Sequence, residues 1–221
     1  MNQPEKMPQI TAQLEQRLEG YIKEEISQNG DSGHDLAHIK RVVASAKQLT
    51  EEEGADPGIV IPAAWLHDCV IIPKKDSRRD QASRLAAEQA KIWLEHEGFD
   101  QPALEAVAHA IEAHSFSANI PPETLEARVV QDADRLDAIG AIGIARCFAI
   151  GGEMGASLYH PEEPFPENRQ ADDKSWIVDH FYTKLLNLQE KFQTESGRKE
   201  ARRRTAFMQD YLDQLRAEAG A

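Results

Sequence analysis

An all-α fold follows from three features of the chain. Apolar residues recur at intervals of three and four along most of its length, the signature of amphipathic helices. Sustained alternation with period two, which a half-buried strand requires, is nearly absent. Asn29-Gly30, Gly54, Gly98 and Pro121-Pro122 punctuate the apolar stretches where helices must stop or start. With 221 residues the chain suits one domain with a sizeable core.

Leu14, Leu18, Tyr21, Ile22 and Ile26 mark a first helix that stops near Asn29-Gly30. Leu36, Ile39, Val42, Val43, Ala46 and Leu49 mark a second, ending at Gly54. Pro62 suits the first turn of a third, which holds Trp65, Leu66 and His67. The polar segment 73–79 breaks the pattern. A fourth helix runs through Leu85, Ala86, Ala90, Ile92 and Trp93 to Gly98, and a fifth carries Leu104, Val107, His109, Ile111 and His114. After Pro121-Pro122 a sixth is expected from about Glu123 through Asp134 towards Phe148, with Gly140 and Gly143 permitting close helix contact. Residues 151–173 read as a long loop. Two helices close the chain, over about 176–192 and 197–217, the second opening on a basic, solvated face at Arg198-Lys199 and Arg202-Arg203-Arg204.

The formal net charge of −13 argues against broad binding to the phosphate backbone of duplex nucleic acid. Cys69 and Cys147 lie far apart in apolar helical contexts and read as buried free thiols of a reducing compartment. Residues 1–9 hold no apolar signal core, and no apolar run approaches the ~20 residues of a membrane span. The expectation is a cytoplasmic protein that does not engage the membrane.

The chemistry concentrates around Ala63-Ala64-Trp65-Leu66-His67-Asp68-Cys69-Val70, an apolar run carrying a histidine and an aspartate side by side. Ionisable groups in such a run need a partner, and a metal ion accepts neutral imidazole nitrogen and ionised carboxylate oxygen together. Adjacent residues diverge by ~100° on a helix, so both can reach one ion only where the helix ends. His34 and His38, four apart, share a face of the second helix. In the sixth, Asp132, Asp134 and Asp137 place three carboxylates in an otherwise apolar stretch, Asp134 and Asp137 on one face and Asp132 off it. With His38, His67 and Asp68 also needing partners, a ligand role explains them better than a charged outer stripe.

The order His38, His67-Asp68, Asp134 resembles the H…HD…D motif of the HD-domain metal-dependent phosphohydrolase superfamily, an all-α fold. Gly33-His34-Asp35 with His38, Ala113-His114-Ser115-Phe116-Ser117, the stretch Val130-Gln131-Asp132-Ala133-Asp134-Arg135-Leu136-Asp137-Ala138-Ile139-Gly140, and Asp179-His180-Phe181-Tyr182 are similar to a bacterial subfamily of predicted HD hydrolases. The resemblance covers nearly the whole chain. It implies a single HD domain over 1–221, with its motif core at about 30–145 and C-terminal helices over about 174–217 packing on it. It further implies His38, His67, Asp68 and Asp134 as ligands of one divalent ion. Asp134 is preferred to Asp132 because the family's last ligand sits in an Ala-Asp-x-Leu context. Members that hydrolyse alarmones carry a Glu-Asp pair shortly after the doublet, where this chain has Ile71-Ile72.

A site of nitrogen and oxygen donors without thiolate suits Mn, Fe, Ni, Co or Zn, with Mg also to be considered. Such an ion activates water for attack on phosphorus, with Asp68, Asp137 and His114 as the candidate catalytic side chains. Phosphate chemistry also needs cations at the non-bridging oxygens. Lys74, Lys75 and Arg79 follow the doublet directly, and Arg135 and His34 are further substrate contacts. The substrate expected is a small phosphorylated metabolite, a nucleotide above all, cleaved at a phosphomonoester or pyrophosphate bond. Two other functions are consistent with the sequence: a di-iron HD oxygenase drawing on His109 and His114, and a non-catalytic nucleotide-binding regulator. The oligomeric state is open, a homodimer included.

Overall fold

The computed structural model describes residues 10–29, 35–72, 78 and 81–220. Among them every regular element is helical, and one isolated bridge, Ser157 to Trp176, is the sole β-type pairing. The chain divides into two compact units between Asp134 and Arg135.

The first unit is built on α3 (Pro57–Leu66), which contacts α1 (Ala12–Asn29), α2 (Leu36–Glu53), α4 (Ala82–His96) and α5 (Gln101–His114). Every residue of α3 from Gly58 to Leu66 is buried, as a central helix requires. Asp56 caps it by accepting from the Gly58 amide at 2.7 Å, and Pro57 opens it. Pro62 therefore lies inside the helix rather than in its first turn as expected, where it cannot donate to the Gly58 carbonyl. The Asp-Pro start five residues earlier decides the boundary. Asp35 caps α2 through the His38 amide at 2.6 Å, and Gly54 ends it in the left-handed conformation, φ 71°. Asp100 and Thr124 cap α5 and α6 (Leu125–Leu136) in the same way.

The sixth helix expected from the sequence is two. The chain leaves α6 after Leu136, turns through Asp137 to Ile139, and re-enters α7 (Gly140–Glu153). Gly140 makes the re-entry at φ +75°, a conformation that costs glycine little. A Cβ on Gly143 would lie 2.3 Å from the Ala138 carbonyl oxygen, so this glycine admits the preceding turn rather than another helix.

Within the second unit α7 packs on α9 (Glu195–Ala219). The helix expected over about 176–192 is also broken: a short α8 (Asp179–Thr183) gives way at Lys184 to a 3-10 helix, Leu185–Lys191. With three residues per turn the tighter helix puts Leu185 and Leu188 on one face, and both are buried. The long connection before α8 is clasped by Arg169, whose guanidinium donates to both carboxylate oxygens of the fully buried Asp179 at 2.5 and 2.7 Å. Cys69 is buried and Cys147 half-buried, and both thiols are free. No described helix is long and apolar enough to cross a membrane.

Candidate metal centre

Four side chains from helix ends of the first unit converge. His38 Nε2 lies 3.4 Å from His67 Nε2, 3.8 Å from Asp68 Oδ2 and 3.5 Å from Asp134 Oδ1. His67 Nε2 lies 3.5 Å from Asp68 Oδ2 and 3.8 Å from Asp134 Oδ1. Donor atoms bound to one ion at about 2.0–2.2 Å stand roughly 3–4 Å apart. Every one of these separations falls in that window.

Local structure explains the convergence. His67 is the C-cap of α3, so Asp68 already lies in a turn and the two side chains need not diverge as on a continuing helix. His38 stands in the first turn of α2, which its own amide helps to cap. Asp134 lies in the last turn of α6. The imidazoles are buried, His67 completely, while the carboxylates of Asp68 and Asp134 remain partly open at 23% and 28%. The ion position is thus reached from the carboxylate side.

The protonation pattern fits a cation. His67 Nδ1 donates to the Ala64 carbonyl at 2.8 Å, which leaves Nε2 carrying the lone pair that faces both carboxylates. Burial pushes this histidine below its ordinary value, so it is neutral at pH 7. Imidazole nitrogens set beside carboxylate oxygens form a donor set that suits a divalent cation.

His114 extends the cluster. Its Nδ1 donates to the Ile111 carbonyl at 2.5 Å and its Nε2 lies 3.5 Å from Asp68 Oδ1. Burial opposes its charged form, but the hydrogen bond and charge of Asp68 outweigh that and raise it above the ordinary value. The described residues thus hold two groups able to bind a metal, His38–His67–Asp134 and His67–Asp68–His114.

None of the other described residues singled out in the sequence belongs to either group. Asp132 is completely buried and belongs to neither group. Asp137 and Arg135 fall in the second unit, where Asp137 pairs with Arg146 and Arg135 donates to the Lys191 carbonyl. His109 accepts from the Glu123 amide at 3.1 Å and so anchors the connection to α6. His34, Lys74, Lys75 and Arg79 lie outside the described residues. One contributor escaped the sequence reading: Gln131, one turn before Asp134 on the same face, donates from Nε2 to the Ala113 carbonyl at 2.6 Å, tying α6 to the helix end that carries His114. A polar amide on the ligand-bearing face of an apolar helix was the available signal.

Comparison with known proteins shows the family. The HD domain model matches residues 35–139, from the Asp35 cap to the turn after α6. The Bacillus subtilis protein YpgQ is 36% identical over 188 residues, 83% of either chain. A crystal structure of an HD-superfamily hydrolase from Bacillus thuringiensis superimposes with a TM-score of 0.75 at 33% identity, covering 96% of this chain and 100% of that one. The crystal structure of Bacillus subtilis YpgQ in complex with ADP gives 0.73 at 33% identity, covering 94% and 97%.

Proposed function

The chain belongs to the HD-domain superfamily of hydrolases, and on that premise we propose that it is a divalent-metal-dependent phosphohydrolase of nucleotides. The observation that carries this reading is the meeting of the His38 and His67 Nε2 atoms, 3.4 Å apart, each of them 3.5–3.8 Å from a carboxylate oxygen of Asp68 and one of Asp134. The ADP complex of YpgQ supports a nucleotide as the substrate class.

In this reading those four residues hold one divalent ion. When bound, the ion supplies Lewis acidity, lowering the pKa of water and polarising a phosphoryl oxygen. The protein's own groups do the rest. Ala64 locks the His67 tautomer, so that Nε2 is always the nitrogen presented. Asp68 divides its oxygens, Oδ2 towards the histidines and Oδ1 towards His114. His114, held through Nδ1 by Ile111, presents an Nε2 proton beside Asp68 and hands it to the leaving oxygen. Lys74, Lys75 and Arg79, the cations that follow the doublet in sequence, are proposed with His34 and Arg135 as contacts to the phosphate oxygens, and Asp137, three residues after Asp134, as orienting the attacking water.

The test is a nucleotide panel supplied with Mn, Fe, Ni, Co, Zn or Mg, with orthophosphate and pyrophosphate release read separately. Asp68→Ala should lower turnover by more than about 100-fold, beyond what loss of an outer partner of a metal ligand costs. Turnover undiminished in that variant sinks the mechanism. Metal analysis separates the oxygenase reading: one ion per chain supports the hydrolase, and two irons support the oxygenase. The bond of His109 to Glu123 removes one of the histidines the latter would draw on.

A further inference from the structure

The second unit contains a cavity of about 220 Å³ that the chemistry above does not use. Its lining is largely apolar, with Ile150, Met154, Ala156 and Ile177. Cys147 adds to them: burial pushes its thiol up to about 11, so at neutral pH it packs as a small uncharged hydrophobe. Gly151 keeps the wall thin, since a Cβ there would lie 2.5 Å from Ile177 Cγ1.

The polar groups in the lining are Asp173, Lys174 and His180. Asp173 Oδ2 accepts from His180 Nδ1 at 3.0 Å and from Thr183 Oγ1 at 2.8 Å. Those two bonds hold the carboxyl below the usual carboxylate range, so it is ionised and His180 is the donor. Neither His180 Nε2 nor Asp173 Oδ1 has a hydrogen-bond partner among the described residues. The cavity lining thus carries one ammonium and two ring or carboxylate positions open to a hydrogen bond among otherwise apolar residues.

We propose that this cavity is a second binding site, taking one planar heteroaromatic ring system of nucleobase size that donates ring or exocyclic N–H to Asp173 Oδ1 and hydrogen-bonds His180 Nε2 through a ring nitrogen. The volume lies below the roughly 300–1,000 Å³ of pockets for drug-sized ligands, which limits the occupant to a single ring system. The apolar wall selects a flat, poorly hydrated face. The ionised Asp173 demands a donor, and Lys174 beside it disfavours a cationic amine. A neutral ring with N–H groups meets all three conditions. None of the lining residues belongs to the metal centre, so the inference stands apart from the proposed phosphohydrolase.

The experiment uses the full chain with chelator present, adenine as the probe and calorimetry or NMR titration as the readout. Saturable binding of one adenine per chain is expected, weakened at least tenfold in His180→Ala and in Ala156→Phe, and unchanged in Asp68→Ala. Thermal melts establish that each variant is folded, and the half-exposed His180 tolerates truncation if Ala156→Phe does not fold. Absence of saturable binding overturns the proposal. So does binding that survives His180→Ala, or that vanishes in Asp68→Ala and so belongs to the metal centre. Adenine binding without phosphate release from any nucleotide upholds this site while rejecting the hydrolase.

Discussion

Gln131 shows how much a single side chain carries at this site. Its amide is buried, donates to the Ala113 carbonyl at 2.6 Å, and leaves Oε1 buried without a hydrogen-bond partner among the described residues. Gln131→Ala orphans the Ala113 carbonyl next to His114, at an expected cost of about 1–3 kcal/mol read from the urea midpoint. A variant as stable as the parent would show that the tie contributes nothing. His67, Asp68 and Asp134 were legible in the sequence because ionisable groups stood inside apolar runs, where burial without a partner is costly. Gln131 was not, because a lone amide in a helix carries no such tension until its neighbour across the interface is known. The Ala64 carbonyl that fixes the His67 tautomer is invisible in sequence for the same reason.

Elements were legible where capping and periodicity agreed, and misread where backbone geometry overrode an unbroken apolar pattern. The 3–4 spacing from Leu125 to Phe148 continues through Gly140, yet the positive φ there splits the helix in two. The same pattern hid the switch to 3-10 geometry at Lys184, since Leu185 and Leu188 satisfy either period. At α9 the run read as a solvated basic face is partly pinned: Glu200 accepts from Arg203 at 2.7 and 2.8 Å and from Arg204 at 2.8 Å, and Arg204 donates onward to the Leu136 carbonyl at 2.6 Å. Arg203, then Arg204, hold the Glu200 carboxyl at about 2, below its ordinary 4.5. A depressed carboxyl contributes stability that is complete above its unfolded value and is lost as pH falls through the folded one. The stability gap between the parent and Glu200→Gln should therefore be open at about pH 6 and narrow by about pH 3, in denaturant melts at both. A gap that is constant with pH would mean the ion pairs are screened out.

Over the whole molecule, the all-α class was readable from periodicity alone, whereas the meeting of residues 38 and 134 was not, since their separation in sequence sets no distance in space. The motif resemblance supplied that pairing, and the folded chain places the donors within a coordination sphere of one another. Because this set of imidazole nitrogens and carboxylates is assembled only in the folded first unit, a divalent ion should stabilise the native chain by linkage. At 100 times its dissociation constant the gain is about 2.7 kcal/mol, a rise in Tm of roughly 5–10 °C for a chain of this size. Scanning calorimetry with and without metal, and again in His67→Ala, reads this directly, and an unmoved Tm in the parent would deny the site.

His67 caps α3, His114 closes α5 and Asp134 lies in the last turn of α6, so three helices aim their carbonyl ends at one corner. Each such end carries partial negative charge worth about 0.3–1 kcal/mol to a nearby ion. Before any metal arrives, those three poles favour cations there over phosphate. Under the proposed function loading is then sequential, the metal entering first and reversing the local field that a nucleotide would meet. Nucleotide affinity measured in chelator should collapse at this corner, and affinity independent of metal would show that the helix poles do not govern entry.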